Sequence, residues 1–225
     1  MKQSLNGQPI YSGASFSKIA YGVADRSLPP FAEFDNWAQS MGYPAPGRVS
    51  QVHGDRVVAC AAADGQCEAD AIAIGAGEAA LIRVADCVPV ILIDAEAKRA
   101  AAVHAGWRGT FAQIVPKALK GFDAPARIYA YIGPAIGPCC YEVSGELAAQ
   151  FRDRFGGGPW LQIHGGKPHL DLPGLNAWQL ERAGVGQIDV ERQCTFDSPD
   201  LHSFRRDGSA AGRLAAFVMI AATPV

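Results

Sequence analysis

Four short apolar runs follow one another in the middle of the chain, and they constrain the fold more than any other feature. They are rich in Ala, Val, Ile and Leu, they are bounded by Gly, Asp or Pro, and they cover residues 69–74, 79–85, 88–94 and 99–103. Uninterrupted apolar runs of this length are typical of strands that are buried on both faces. We therefore predict that these runs form the centre of a buried sheet.

Helices are predicted around these strands. Apolar residues recur at helical spacing over 110–120, which predicts a helix there. Ser144 is placed to cap a helix that ends at Phe155, and Pro173 to open a helix that ends at Ala183. Other short apolar runs predict strands over 127–132, 188–190 and 214–220. Strands and helices mix without a strict βαβ rhythm, which favours an α/β or α+β layered fold with a mixed sheet flanked by helices.

Domain organisation and broad function class follow from what the sequence lacks. There is no internal repeat or low-complexity tract, and Gly and Pro are spread evenly, so we expect a single domain over 1–225. Lys and Arg number 20 against 22 Asp and Glu, without a clustered basic stripe, so a nucleic-acid partner is not expected. The apolar run 214–222 is about half of the roughly 20 residues that a bilayer requires, so membrane spanning is not expected either.

The first residues, MKQSLNGQPIYSG, contain no apolar core of signal-peptide length, which predicts a cytoplasmic protein. In a reducing compartment its 6 cysteines are expected to be thiols or metal ligands rather than a disulfide framework.

Three segments each place a metal-ligating residue beside a strand-like run. They are QVHGDRV around His53, VADCVPVIL around Cys87 and AAVHAGWRGT around His104. The three residues lie too far apart for a zinc finger or ribbon, and this spacing suits ligands that meet from separate strand ends. Two imidazoles and one thiolate match a catalytic zinc site, which leaves a fourth position for water or substrate. The alternative is that Cys87 is a small buried hydrophobic residue and that the histidines are hydrogen-bonded core or surface groups.

Two further motifs, YIGPAIGPCCYEV and SFRRDGSAAGRLAAFV, follow these three in the same chain. In this order the five motifs resemble the laccase-domain or multicopper polyphenol oxidase family, the YfiH-like proteins, whose members are described as purine nucleoside phosphorylases. The resemblance runs from about Gln51 to the C-terminus. It implies a compact α/β fold of the kind found in the catalytic domains of bacterial cytotoxic necrotizing factors. It also implies a zinc site on His53, Cys87 and His104, at which copper is the competing metal because Cu²⁺ has the higher intrinsic affinity.

The resemblance further implies phosphorolysis of adenosine, inosine and methylthioadenosine, together with adenosine deamination. The partners are then small molecules, a purine nucleoside and phosphate. Asp86 is the nearest carboxylate to Cys87, and we expect it either to transfer a proton or to accept the second N–H of a ligating histidine. Cationic side chains are needed to hold phosphate, and the candidates are Arg108, Arg205 and Arg206. The alternative for the last two is a local ion-pair cluster with Asp207.

The N-terminal region departs from the family pattern. Many members carry an Arg followed by Gly-Gly and Ser, whereas residues 13–27 here are GASFSKIAYGVADRS. The residue that anchors phosphate is therefore open, with Lys18 and Arg26 as substitutes for the missing arginine.

Three other functions remain as alternatives. Cys87 would be the nucleophile and His104 its base in an amide hydrolase that acts on peptidoglycan precursors. A copper-binding polyphenol oxidase is disfavoured because 5 histidines are too few for a blue-copper centre and a multinuclear cluster. A zinc-stabilised binding module would need a closed site with four ligands.

Cys139 and Cys140 follow the glycine-proline loop GPAIGP, which we expect to shape a pocket wall rather than to react. The sequence leaves the oligomeric state open.

Overall fold

Two β-sheets pack face to face in the computed structural model, which describes residues 1–28, 31–96 and 98–222. The strands in chain order are β1 Lys2–Leu5, β2 Gln8–Tyr11, β3 Ile19–Ala24, β4 Arg48–Ser50, β5 Val57–Ala59, β6 Asp64–Glu68, β7 Ala71–Ile74, β8 Ala79–Val84, β9 Val88–Asp94, β10 Arg99–Ala105, β11 Tyr129–Ile132, β12 Leu161–His164, β13 Lys167–Leu170, β14 Gln187–Val190 and β15 Leu214–Ile220. The α-helices are α1 Phe31–Ser40, α2 Trp107–Phe111, α3 Ile114–Leu119, α4 Gly145–Phe155, α5 Leu172–Arg182 and α6 Phe204–Asp207. Short 3-10 helices cover Cys60–Ala62, Pro125–Arg127 and Gly208–Ala210.

The two large sheets differ in topology. One is antiparallel with the strand order β1-β2-β3-β15-β8, and the other is mixed with the order β14-β11-β9-β10-β7-β5. In the mixed sheet β14 is parallel to β11 and β5 is parallel to β7, while the pairs of β9 with β10 and of β10 with β7 are antiparallel. The pairs β12-β13 and β4-β6 form separate two-stranded sheets.

Helices cover the outer faces of both sheets, so the fold has four layers. Helices α3, α4 and α5 pack on the mixed sheet through buried side chains such as Ile114, Phe151 and Leu175. Helix α1 packs on the antiparallel sheet through Phe34 and Ala38. The predicted α/β layered fold with helices around a sheet is confirmed, although the structure has two stacked sheets where the sequence suggested one.

Burial on both faces explains why the strand sequences are continuously apolar. Every residue of β9 and of β15 is buried, and both strands have the bounds that the sequence predicts. The run over 79–85, expected beside the other three, instead forms the edge strand β8 of the antiparallel sheet. Composition reveals that a strand is buried but not which strand it pairs with, and this is why the second sheet was not foreseen.

The helix predictions were confirmed with one change. Ser144 caps α4, since its Oγ accepts a hydrogen bond from the amide of Leu147 at 3.2 Å. Pro173 lies in the first turn of α5. The helix predicted over 110–120 is interrupted at Gln113, whose φ of 61° is left-handed, and so becomes α2 and α3. None of the helices in the described part of the chain is long and apolar enough to traverse a lipid bilayer.

Phe217 offers a test of the packing between α1 and the antiparallel sheet. It is fully buried, and its ring lies 5.2 Å from that of Phe34 and 5.4 Å from that of Trp37. We expect Phe217→Ala to lower the free energy of unfolding by about 3–5 kcal/mol, because it leaves a cavity among these rings. Urea denaturation measures the change. Phe204→Ala is the matched control, since Phe204 is 51% exposed and its loss is expected to cost less than about 1 kcal/mol; equal losses would contradict this packing.

Candidate metal centre and its cavity

The side chains of His53, Cys87 and His104 converge at the edge of the mixed sheet where β9 begins and β10 ends. Their ligand atoms lie within 4.8 Å of one another. In the antiparallel register Val88 lies opposite Ala105, so Cys87, just before β9, and His104, near the end of β10, reach the same edge. His53 precedes β5, whose pairing with β7 brings it to that edge as well. The structure thus brings together the three side chains that the sequence singles out.

A buried carboxylate that the sequence analysis missed organises this edge. Asp70 is 0% exposed and directly precedes β7, where the register of β7 with β10 places it opposite His104. Its Oδ1 lies 2.7 Å from Nδ1 of His104. Since the carboxylate is the acceptor, Nδ1 carries the proton and Nε2 is left for a metal. Asp70 therefore accepts the second N–H of a candidate histidine ligand, which is one of the two roles that the sequence suggested for Asp86.

Asp70 also holds the loop that carries His53. Its carboxylate oxygens accept three consecutive backbone N–H bonds, from Val52 at 3.3 Å, His53 at 3.0 Å and Gly54 at 2.6 Å. His53 has a left-handed φ of 60°, a conformation that costs an L-residue about 1–2 kcal/mol. Burial alone would raise the pKa of Asp70, but the hydrogen bonds from His104 and from the Gly54 amide lower it below the usual value. The carboxylate is therefore ionised at neutral pH and compensates for the strained loop.

Gly106 lets the ligand side chains approach one another. A Cβ at this position would lie 2.9 Å from Sγ of Cys87 and 3.3 Å from Cδ2 of His53. Any larger residue at position 106 would therefore displace two of the three candidate ligands.

The charges at the site favour a thiolate at Cys87. Burial would raise the pKa of Cys87, but hydrogen bonds with His104 and His53 outweigh it and lower the pKa to about 7. Burial would lower the pKa of His104, but Asp70 and Cys87 raise it to about 9. A thiol that ionises readily beside two imidazoles is the donor chemistry that zinc and copper select, so the residues present fit a metal ion.

The candidate ligands line a cavity of about 660 Å³. This volume is within the range of about 300–1,000 Å³ that is typical of small-molecule sites. The cavity wall also carries three aromatic and three cationic side chains, which are Trp107, Tyr141, Phe204, Arg83, Arg205 and Arg213.

Asp86, the carboxylate that the sequence singles out, lies on the wall of this cavity. Its carboxylate accepts hydrogen bonds from Oγ1 of Thr195 at 2.6 Å and from the backbone N–H of Arg205 at 2.8 Å. Thr195 and the Arg205 amide thus fix the position of Asp86 on the cavity wall.

Two predicted cations, Arg108 and Arg206, are not among the residues that line the cavity. The guanidinium of Arg108 stacks on the Trp107 ring at 4.3 Å. The guanidinium of Arg206 donates to the carbonyl oxygens of Thr195, Phe196, Ser198 and Leu201 and to the carboxylate of Asp207.

The cations on the cavity wall are Arg83, Arg205 and Arg213. Arg83 lies in β8 and Arg213 directly precedes β15, and the register of these strands places them at the same end of the antiparallel sheet. Lys18 and Arg26, considered as replacements for the missing N-terminal arginine, do not line the cavity.

The described residues contain two groups that could hold a metal ion, and only the first contains histidine. The second consists of Cys139, Cys140, Cys194 and Asp197. The described part of the chain therefore shows no cluster of imidazoles of the kind that a multinuclear copper centre needs.

Comparisons with known proteins agree with this architecture. Residues 14–221 match the family described as multi-copper polyphenol oxidoreductase laccase. The purine nucleoside phosphorylase of Deinococcus radiodurans is 39% identical over 204 residues, which cover 86% of this chain and 79% of that protein. The purine nucleoside phosphorylase YfiH of Escherichia coli is 36% identical over 148 residues, or 64% of this chain and 60% of that protein. The crystal structure of YlmD from Geobacillus stearothermophilus superposes with a TM-score of 0.82 at 25% identity and covers 97% of this chain and 98% of YlmD.

The importance of Asp70 can be tested by metal affinity. We expect Asp70→Asn to weaken zinc binding about 10- to 100-fold, because it removes the charge that orients His104 and the His53 loop. Competition with a chromophoric chelator measures the affinity. The control is Asp55→Asn, since the side chain of Asp55 is 40% exposed and pairs with Lys117. An unchanged affinity in Asp70→Asn would contradict the role assigned to this carboxylate.

Proposed function

We propose that this chain, which belongs to the family described as multi-copper polyphenol oxidoreductase laccase, is a metal-dependent purine nucleoside phosphorylase. Relatives of that name at 39% and 36% identity support the assignment. The observation that carries it is a single cavity in which guanidinium groups and aromatic rings surround the candidate metal centre. The reaction would convert adenosine, inosine or methylthioadenosine and phosphate into the free base and the ribose 1-phosphate.

Arg83, Arg205 and Arg213 would hold the phosphate. A guanidinium group binds phosphate oxygens through charge-assisted hydrogen bonds, often in pairs. Arg83 makes no side-chain hydrogen bond or ion pair with the residues that the structure describes, so its guanidinium is available to an anion. Arg205 is already oriented, since it donates to the carbonyl oxygen of Cys140 at 3.3 Å and to that of Glu142 at 3.4 Å.

The aromatic side chains would hold the purine. Phe204 is half exposed at the cavity, Trp107 and Tyr141 are partly buried, and their faces offer stacking surfaces for a flat base. Trp107 also packs against the hydrophobic core, so it would combine stacking on the base with core packing.

Zinc fits His53, Cys87 and His104, and a metal ion held there would supply Lewis-acid chemistry beside the bound nucleoside. The same cavity would support deamination of adenosine with water to inosine and ammonia. Asp86 would accept and return the proton in that reaction, because Thr195 and the Arg205 amide fix its carboxylate on the cavity wall.

A cysteine hydrolase is the second candidate, and one observation favours it. Cys87 hydrogen-bonds to His104, and His104 hydrogen-bonds to Asp70. These contacts have the nucleophile, base and acid order of a catalytic triad. A triad does not account for His53, whose ring lies 4.9 Å from that of His104 and which hydrogen-bonds to the same sulfur. A second imidazole on the sulfur is expected for a metal site, so we favour the phosphorylase.

Phosphate dependence tests the phosphorylase directly. Zinc-loaded protein with adenosine and phosphate is expected to release adenine and ribose 1-phosphate, detected by chromatography, and inosine formation without phosphate would report deamination. Arg83→Ala is expected to raise KM for phosphate roughly 10- to 100-fold, since it removes one charge-assisted contact. Arg108→Ala, the matched control outside the cavity wall, should leave that KM within about twofold. Release of adenine that does not depend on phosphate would refute the assignment.

Substitution of Cys87 separates the metalloenzyme from the cysteine hydrolase. We expect Cys87→Ala to abolish turnover and to lose the zinc ion held by His53, Cys87 and His104. Cys67 is a half-buried cysteine outside both metal groups, so Cys67→Ala should retain both turnover and that zinc ion. Elemental analysis and alkylation by iodoacetamide are the measurements. Amide hydrolysis by metal-free protein, abolished by alkylation of Cys87, would establish the hydrolase instead.

A further inference from the structure

A second group of metal-ligating side chains lies outside the candidate centre. Cys139 and Cys140 follow the loop that leads from β11, and Cys194 and Asp197 lie in the segment between β14 and α6. The ligand atoms of these four residues lie within 4.8 Å of one another. None of the four residues is part of the mechanism proposed above.

The backbone brings the two segments together. Ala135 and Cys194 form a parallel β-bridge, and the amide of Thr195 donates to the carbonyl oxygen of Ala135 at 3.1 Å. The amides of Cys140 and Tyr141 both donate to the carbonyl oxygen of Gly137 at 3.0 Å, which turns the chain so that both neighbouring thiols face the second segment.

The separations between the ligand atoms match a tetrahedral site. Sγ of Cys139 lies 3.3 Å from Sγ of Cys140, and the Asp197 carboxylate lies 3.5 Å and 3.3 Å from these two sulfurs. With Zn–S bonds of about 2.3 Å and Zn–O bonds of about 2.0 Å, the edges of a tetrahedron around zinc are about 3.5–3.8 Å. Small movements therefore convert this group into a closed coordination shell.

Two local features favour a cation over four uncharged groups. The amide of Gly137 donates to Sγ of Cys194 at 3.3 Å, and hydrogen bonds of this kind stabilise a thiolate ligand. Asp197 forms no ion pair with the Lys and Arg side chains of the described ranges, although it lies against two thiols. Cys194 and Asp197 are also separated by two residues, which is the spacing of the C-x2-C half of a zinc knuckle with a carboxylate as its second ligand.

We propose that Cys139, Cys140, Cys194 and Asp197 form a second, structural zinc site with three thiolates and one carboxylate. On binding, Zn²⁺ replaces the thiol protons, which are released to solvent, and no oxidant or reductant takes part. The four protein ligands close the site, so it stabilises the fold rather than turning over substrate.

Its position gives the second site a defined task. Tyr141, next to Cys140, lines the cavity, and Thr195, next to Cys194, holds Asp86. A metal ion that ties these two segments together would fix the part of the cavity wall that carries Tyr141 and Asp86. The inference does not depend on the proposed reaction, since metal content is measured without any substrate.

Metal stoichiometry in site-specific variants tests the proposal. Protein purified under reducing conditions, saturated with zinc and freed of excess is expected to contain two zinc ions per chain. Cys139→Ser and Asp197→Ala, at exposed positions, should each retain one, Cys87→Ala should retain one, and Cys87→Ala combined with Cys139→Ser should retain none. The matched controls Cys60→Ser and Cys67→Ser should retain two.

Cobalt substitution distinguishes the two sites by their ligands. The three-thiolate site should give the stronger sulfur-to-cobalt charge-transfer band, which persists in Cys87→Ala and disappears in Cys139→Ser. One zinc ion per chain that is insensitive to Cys139→Ser and Asp197→Ala would overturn the proposal. A second zinc ion that all these variants retain would be adventitious and would also overturn it. A disulfide among the three cysteines, detected by mass spectrometry of protein purified under reducing conditions, would overturn it as well.

Discussion

The buried carboxylate of Asp70 is the interaction on which the candidate site depends. It accepts one hydrogen bond from the imidazole of His104 and three from consecutive backbone amides, so a single charge orients that ring and holds the loop that carries His53. A buried carboxylate is costly unless its oxygens are satisfied, and these four donors satisfy them. The loop conformation and the tautomer of His104 both follow from this arrangement.

The sequence predicted the strands better than their partners. Strands β9 and β15 have their predicted bounds because both faces are buried, and such burial leaves an unbroken apolar run. The pairing of β8 with β15 depends on register between segments far apart in the chain, which local composition does not encode. The break at Gln113 was missed for a related reason, since the apolar periodicity continues across a single left-handed residue.

The same limit applies to the site. The three candidate ligands were found because His and Cys have few roles beside an apolar run. Asp70 carried no such signal, because an aspartate before a strand is common in loops and only the register with β10 places it opposite His104. Arg205 and Arg206 are adjacent in sequence, yet the short helix α6 directs one to the cavity and the other into a set of carbonyl oxygens. Arg83 and Arg213 gave no local pattern at all.

The cavity is shared between the two sheets. The candidate metal ligands belong to the edge of the mixed sheet, whereas Arg83 lies in the antiparallel sheet and Arg213 directly precedes its strand β15. The thickness of the apolar layer between the sheets, filled by residues such as Tyr21, Ile82 and Ile91, therefore sets the separation between the candidate metal ligands and these guanidinium groups. Interiors of this density transmit changes of a single methyl group. Side-chain volume deep in the sandwich is thus a determinant of the geometry of this cavity, and a substitution there can change that geometry without altering any residue on the cavity wall.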